Sequence, residues 1–182
     1  MLSTRAVEPS FDETALTEPT RGMDLDELFR QYAVYVGTIA YRILGTRDEL
    51  DDVVQDVFLR AHRSLRLLRS PDAVASWLAT VTVRVSQQRL RTRRLRRWLH
   101  LEEPRSHEPA DPGASPETQA AVSAIFRALD RVPTDARVAW SLRYLQGERL
   151  ERVAELCGCS LAAAKRRIAK ARALLDEVVG ND

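Results

Sequence analysis

The sequence predicts an all-α protein made of two small helical domains joined by a flexible linker, and three observations carry that reading. Apolar residues recur at steps of three and four through most of residues 24–100 and again through 117–182. Between these stretches, residues 102–116 hold four prolines and no apolar periodicity, which is the composition of a linker. Near the C-terminus a short apolar helical pattern is closed by Gly158 and a second is opened by Ser160, the form a helix-turn-helix takes in sequence. The expected divisions are a flexible leader over 1–23, a first domain over 24–100, a linker over 101–116 and a second domain over 117–182.

The elements follow in order. Residues 1–23 are rich in Pro, Thr and Glu and show no helical period. A first helix begins near Asp24, with Leu28, Tyr32, Val36, Ile39 and Ile43 on one face, and Gly45 stops it. Thr46 and Asp48 open a second, whose buried side is Leu50, Val53, Val54, Val57, Phe58, Ala61 and Leu65. Its other face carries Asp52, Gln55, Asp56, Leu59 and Arg63. A leucine centred in a charged stripe suits a partner surface.

The pattern breaks between Arg66 and Asp72, and Ser70-Pro71 supplies an N-cap and a first-turn proline for a long third helix. Val74, Leu78, Val81 and Val85 point inward; Thr80, Arg84, Gln87, Arg91, Arg94 and Trp98 form the opposite stripe. Trp77, near the inward stripe, suits either a core position or a stacking surface. After the linker, Ser115-Pro116 restarts helix, Pro133-Thr134 breaks and restarts it, and Gly147 breaks it again. In the last helix Leu161, Ala164, Ile168, Ala171 and Leu175 define a buried stripe, leaving Ala162, Lys165, Arg166, Ala169 and Lys170 outward. Small residues near such a helix start permit close approach to base edges, and Arg can bond guanine bidentately.

Formal net charge is only +2, yet the charges are partitioned. Residues 1–56 hold twelve acidic and five basic side chains, whereas residues 57–100 hold eleven Arg and one acid, Asp72. The acidic surface suits a basic protein partner and the basic one suits phosphate. Only Lys165 and Lys170 are lysine, so the cationic surface is nearly all guanidinium, which forks onto phosphate and stacks on bases. An acid-free run from Ala73 to Leu101 that also carries Trp77 and Trp98 favours nucleic acid over a merely solvated face.

No catalytic constellation emerges: the chain has no Gly-rich phosphate loop and no metal-spaced His or Cys set. Asp48-Glu49 and Asp51-Asp52 are the acids expected at a helix N-terminus. Cys157 and Cys159 read as small turn residues. Neither enzyme activity, metal nor cofactor is expected. The N-terminus has no signal-peptide pattern and no run approaches a membrane span, so a cytoplasmic protein without membrane insertion is expected.

At this point the residues resemble a bacterial sigma factor of the extracytoplasmic-function group, in the sigma-70 family of RNA polymerase. The stretch Asp48-Glu49-Leu50-Asp51-Asp52-Val53-Val54-Gln55-Asp56-Val57-Phe58-Leu59-Arg60-Ala61 is similar to the family's polymerase-clamp-binding helix nearly residue for residue. Ser76-Trp77-Leu78 with the later Arg cluster is similar to the promoter-melting helix. Leu129 to Pro133, Arg137, Leu142, Val153-Ala154 and Lys165 to Ile168 fit the fourth sigma domain. Departures lie at Ala79, Thr80, Arg84 and Gln88 after Trp77-Leu78, at Ala162-Ala163-Ala164 in the recognition helix, and at Arg152. Promoter sequence therefore does not carry over.

The resemblance implies binding to core RNA polymerase through Asp52, Gln55, Asp56 and Leu59. It implies contact with the minus-ten element through Arg66, Arg69, Ser70, Asp72, Trp77, Thr80, Arg84, Gln87, Arg91 and Arg94. For the minus-thirty-five duplex it implies Ser160, Ala162, Ala163, Lys165, Arg166, Arg167 and Lys170. It also implies sequestration by an anti-sigma factor. The competing reading is a stand-alone helix-turn-helix transcription regulator acting on duplex promoter DNA without polymerase, which leaves the acidic helix and the tethered second domain unexplained. A metal-dependent nuclease, the third class, lacks its ligands.

Overall fold

The computed structural model describes residues 25–64, 71–101, 107, 113 and 115–179. Among them are seven helices: α1 (Leu25–Leu44), α2 (Leu50–Ser64), α3 (Pro71–Trp98), α4 (Pro116–Leu129), α5 (Thr134–Tyr144), α6 (Leu150–Leu156) and α7 (Leu161–Val179).

Each helix ends where the sequence gives it a reason to. Gly45, at φ 69°, takes the left-handed conformation that closes α1, and its N–H donates to the Tyr41 carbonyl at 2.8 Å. The second helix starts at Leu50, later than Thr46 and Asp48 suggest; those residues form the turn before it, with Asp48 N–H donating to Thr46 Oγ1 at 3.3 Å. Ser115 caps α4 by accepting from the Thr118 N–H, with Pro116 in the first turn. Between α6 and α7, Gly158 at φ 58° lets the Cys159 N–H reach back to the Ala154 carbonyl at 2.9 Å, and Ser160 Oγ accepts from the Ala163 N–H at 3.2 Å. This is the helix-turn-helix.

The first three helices pack on one another, and α5, α6 and α7 form a second group that α4 joins through α7. The two groups are not held apart. α5 packs against both α1 and α3, and α6 against α3. One apolar core consequently runs from Leu28, Val36 and Leu78 in the first group to Val138, Leu142 and Val153 in the second. That explains why α3 buries Thr82, Val83 and Ser86 as well as the expected stripe of Val74, Leu78, Val81 and Val85. A smaller core gathers Phe126, Leu129, Val132, Ala136 and Ala171, with Tyr41 of α1 against it.

Candidate nucleic-acid and protein interfaces

The candidate contact residues lie on three helices. On α2, the buried stripe of Val53, Val57, Phe58 and Ala61 turns Asp52, Gln55 and Leu59 to solvent, with Leu59 52% exposed. Asp56 is half-buried and paired with Arg89 of α3 at 2.8 Å. Phe29 of α1, 46% exposed with its ring 4.9 Å from Phe58, adds an exposed aromatic beside this face. Periodicity on α1 alone did not single it out, because Phe29 lies off the stripe of Leu28, Tyr32 and Val36.

On α3, Arg84 and Arg94 are exposed, as is Trp98 at the end of the stripe. Thr80 is half-buried and donates to the Ser76 carbonyl at 3.0 Å. Trp77 is half-buried against the main core, so its packing role is present. Gln87 and Arg91 reach a common acceptor, Oδ1 of Asp135 on α5, at 2.7 and 2.9 Å. The expected minus-ten contacts Arg66, Arg69 and Ser70 lie outside the described residues; Asp72 falls in the first turn of α3, its side chain outside them too.

On α7, Ala162, Lys165, Arg166 and Lys170 are exposed and Ala163 is partly so. Arg167 differs. It flanks the buried stripe, three residues past Ala164 and four before Ala171, and bends toward α5, where its Nη2 lies 3.4 Å from Asp135 Oδ2. Asp135 thus collects side chains from both basic helices. Burial pushes its carboxyl upward, but the hydrogen bonds from Arg91 and Gln87 and the charges of Arg91 and Arg167 outweigh this and hold it below the ordinary carboxylate range.

Sequence reasoning missed a second polar cluster between the helical groups. Arg137 is 2% exposed and the largest fully buried side chain. Its Nε donates to the Ile43 carbonyl at 3.0 Å, Nη2 to Leu44 at 2.9 Å and Nη1 to Asp130. A buried guanidinium needs such a full set of partners, and the bare carbonyls at the negative end of α1 supply two of them. Arg93 of α3 reaches the same Leu44 carbonyl at 3.3 Å and pairs with Glu49. His107, within the expected linker, is buried too and hydrogen-bonds Gly45 and Asp130. Burial raises the Asp130 carboxyl, yet His107 and Arg137 pull it down to about 2. The linker composition gave no sign of this anchorage, because a lone His among prolines has no periodicity to read.

Cys157 and Cys159 are free and partly buried in the turn, and burial, then the neighbouring Cys159, pushes the Cys157 thiol up to about 12. Among the described residues no group of three His, Cys, Asp or Glu could hold a metal ion, and no helix is long and apolar enough to cross a membrane.

Comparison with known proteins gives two family matches in chain order, Sigma-70 region 2 over residues 28–96 and Sigma-70, region 4 over residues 123–175. The chain is 34% identical over 155 residues to the ECF RNA polymerase sigma factor SigM of Mycobacterium tuberculosis, covering 85% of this chain and 76% of that protein. It is 26% identical over 159 residues to the ECF RNA polymerase sigma-E factor of Escherichia coli K12, covering 82% and 83%. Among solved structures, the sigma factor RpoE in complex with the anti-sigma factor NepR from Bartonella quintana has the same fold, with a TM-score of 0.63, 23% identity, and coverage of 87% of this chain and 98% of that one.

Proposed function

The chain belongs to the extracytoplasmic-function group of the sigma-70 family and is an RNA polymerase sigma factor, and we propose how its own residues divide that task. It binds core polymerase and promoter DNA and directs promoter-specific initiation. The division proposed is residues 24–100 for polymerase and the minus-ten element, 101–116 as linker, and 117–182 for the minus-thirty-five duplex.

The observation that carries the residue assignment is the contrast between two outward faces. On α2, Asp52, Gln55 and Leu59 stand exposed opposite the buried Val53, Val57, Phe58 and Ala61, so folding alone does not require them there. We assign them, with Asp56, to polymerase. On α7, Ala162, Lys165, Arg166 and Lys170 stand exposed just past a capped helix start, the geometry of a major-groove reader. The exposed Arg84 and Arg94 of α3, with Gln87 and Arg91, are assigned to the minus-ten strand, where guanidinium meets phosphate and unstacked bases. Strand opening is then driven by binding energy shared with polymerase. The action is recognition rather than catalysis, its compartment the cytoplasm, and an anti-sigma protein its proposed regulator.

Run-off transcription with core polymerase and promoter fragments tests the reading. Leu59→Arg combined with Asp56→Arg is expected to abolish core binding with helical content unchanged. A double variant that still binds core normally removes α2 as the contact. Sequence-specific promoter binding and regulation without any core association would instead favour the stand-alone regulator, which leaves the region 2 match and the α2 face unexplained.

A further inference from the structure

The basic character of α3 is not confined to the stripe assigned to DNA. At about 100° per residue, Arg89, Arg93 and Arg96 centre about 170° around the helix from Arg84, Gln87, Arg91 and Arg94. The two flanks meet different neighbours. Gln87 and Arg91 reach Asp135 of α5, whereas Arg89 pairs with Asp56 of α2 at 2.8 Å and Arg93 with Glu49, just before α2, at 3.0 Å. The minus-ten assignment leaves this second flank unexplained.

With Arg60 of α2, these side chains line a cleft of about 230 Å³ between α2 and α3. Four guanidinium groups share it with two carboxylates, Glu49 and Asp56, which leaves a surplus of two positive charges. Arg60 and Arg96 are exposed and pair with no described acid. Arg93 is 7% exposed, and its buried Nη2, although close to Glu49, finds no aligned hydrogen-bond acceptor among the described residues. A buried donor in that state is a mark of an ion or water site. Solubility does not call for such a cluster, since interspersed charge of both signs on an open surface achieves it.

Volume and charge together select the ligand. The cleft is smaller than the roughly 300–1,000 Å³ of pockets that enclose a drug-sized molecule, so it takes a small group. Guanidinium forks match both carboxylate and phosphate oxygens, yet one carboxylate would cancel only half of the surplus. A phosphomonoester brings about 1.5 to 2 negative charges, and Gln88 and Thr92 line the same cleft with uncharged donors for its remaining oxygens. A DNA phosphodiester brings a single charge, and a strand tracking through the cleft would set its backbone against Glu49 and Asp56.

We propose that the α2–α3 cleft binds a free polyvalent phosphate, the terminal phosphate or diphosphate of a small molecule, with Arg60 and Arg96 as its principal ligands and Arg89 and Arg93 supplying charge behind them. Such an anion competes with Asp56 for Arg89. Because Asp56 is also assigned to polymerase, the consequence of binding for initiation, though not the binding itself, rests on the sigma-factor reading.

The test needs neither polymerase nor DNA-directed transcription, so its failure is separable from failure of that reading. Calorimetry of the full chain with inorganic pyrophosphate is expected to show saturable binding of one anion per chain, with NMR amide shifts grouped at Arg60, Arg89 and Arg96 and no displacement by equal acetate. Arg60→Gln combined with Arg96→Gln should weaken binding by at least about tenfold with helicity unchanged. Arg127→Gln combined with Arg131→Gln, which removes the same charge from exposed positions elsewhere, should leave it intact. Equal losses in the two double variants would reduce the effect to diffuse attraction and overturn the proposal. So would the absence of saturable binding, displacement by acetate, or displacement by a single-stranded oligonucleotide lacking terminal phosphates, the last of which would give the cleft to DNA.

Discussion

Asp130 and Asp135 stand five positions apart, both between the two helical groups, and their surroundings give them different worth. Asp130 is 24% exposed and faces Arg137 at 2% and His107 at 3%. Asp135 is 39% exposed and faces Arg91 at 61% and Arg167 at 29%. Removing one partner of a buried pair strands an unpaired charge and costs about 3–5 kcal/mol. A wet pair is worth about 0–1 kcal/mol, because water and salt compete for both ends. The buried carboxylate thus fixes architecture, whereas the wet one holds Gln87, Arg91 and Arg167, the side chains proposed to meet DNA, loosely enough for a phosphate to compete for them.

The sharpest way to break this contrast is Arg137→Ala, expected to cost about 3–5 kcal/mol in urea unfolding at neutral pH. A loss below about 1 kcal/mol would mean that burial does not separate the two sites.

Acid titration is the next largest effect. Asp130 is held at about 2, below its unfolded value near 3.9, so its contribution is complete above about pH 4 and disappears as pH falls toward 2. It amounts to about 2.5 kcal/mol. Subtracting the pH–stability curve of Asp130→Asn from that of the wild type should isolate it; superimposable slopes between pH 4 and 2 would refute it.

Asp135→Asn should change stability by less than about 1 kcal/mol. By freeing Arg91, Gln87 and Arg167 it should raise DNA affinity roughly two- to fivefold at low salt, with the gain fading as salt screens the pair. Filter binding across a salt series reads this, and a gain that survives high salt would assign Asp135 a steric role instead.

Much of this was legible before any coordinates. The buried residues of α2 and α7 follow from three-and-four spacing, apart from Leu161, which is exposed at the start of α7, and the stops at Gly45, Gly147 and Gly158 follow from the backbone conformation that each turn demands; all three have positive φ. What connects the two domains was not legible. Arg137 sits on a short helix flanked by Ala136 and Val138, and periodicity marks such a position as inward without naming its partner carbonyls more than ninety residues earlier. Asp135, in the first turn of α5, reads from sequence as an acid placed for the helix dipole. Its contacts with Gln87, Arg91 and Arg167 depend on how α3, α5 and α7 meet, which no local pattern encodes. The same holds for the burial of Ser86 and Val83, since a helix covered on two sides loses the single-face signature.

Gly45 has a further consequence. In an isolated first domain its left-handed backbone would accept asparagine at modest cost, because only the end of α1 would constrain it. In the whole chain any Cβ at that position would overlap the Phe126 ring. One position therefore answers to its own helix and, through a phenyl ring eighty-one residues later, to the other domain. The cost of asparagine at this position reports how firmly the Phe126 ring is held against the end of α1.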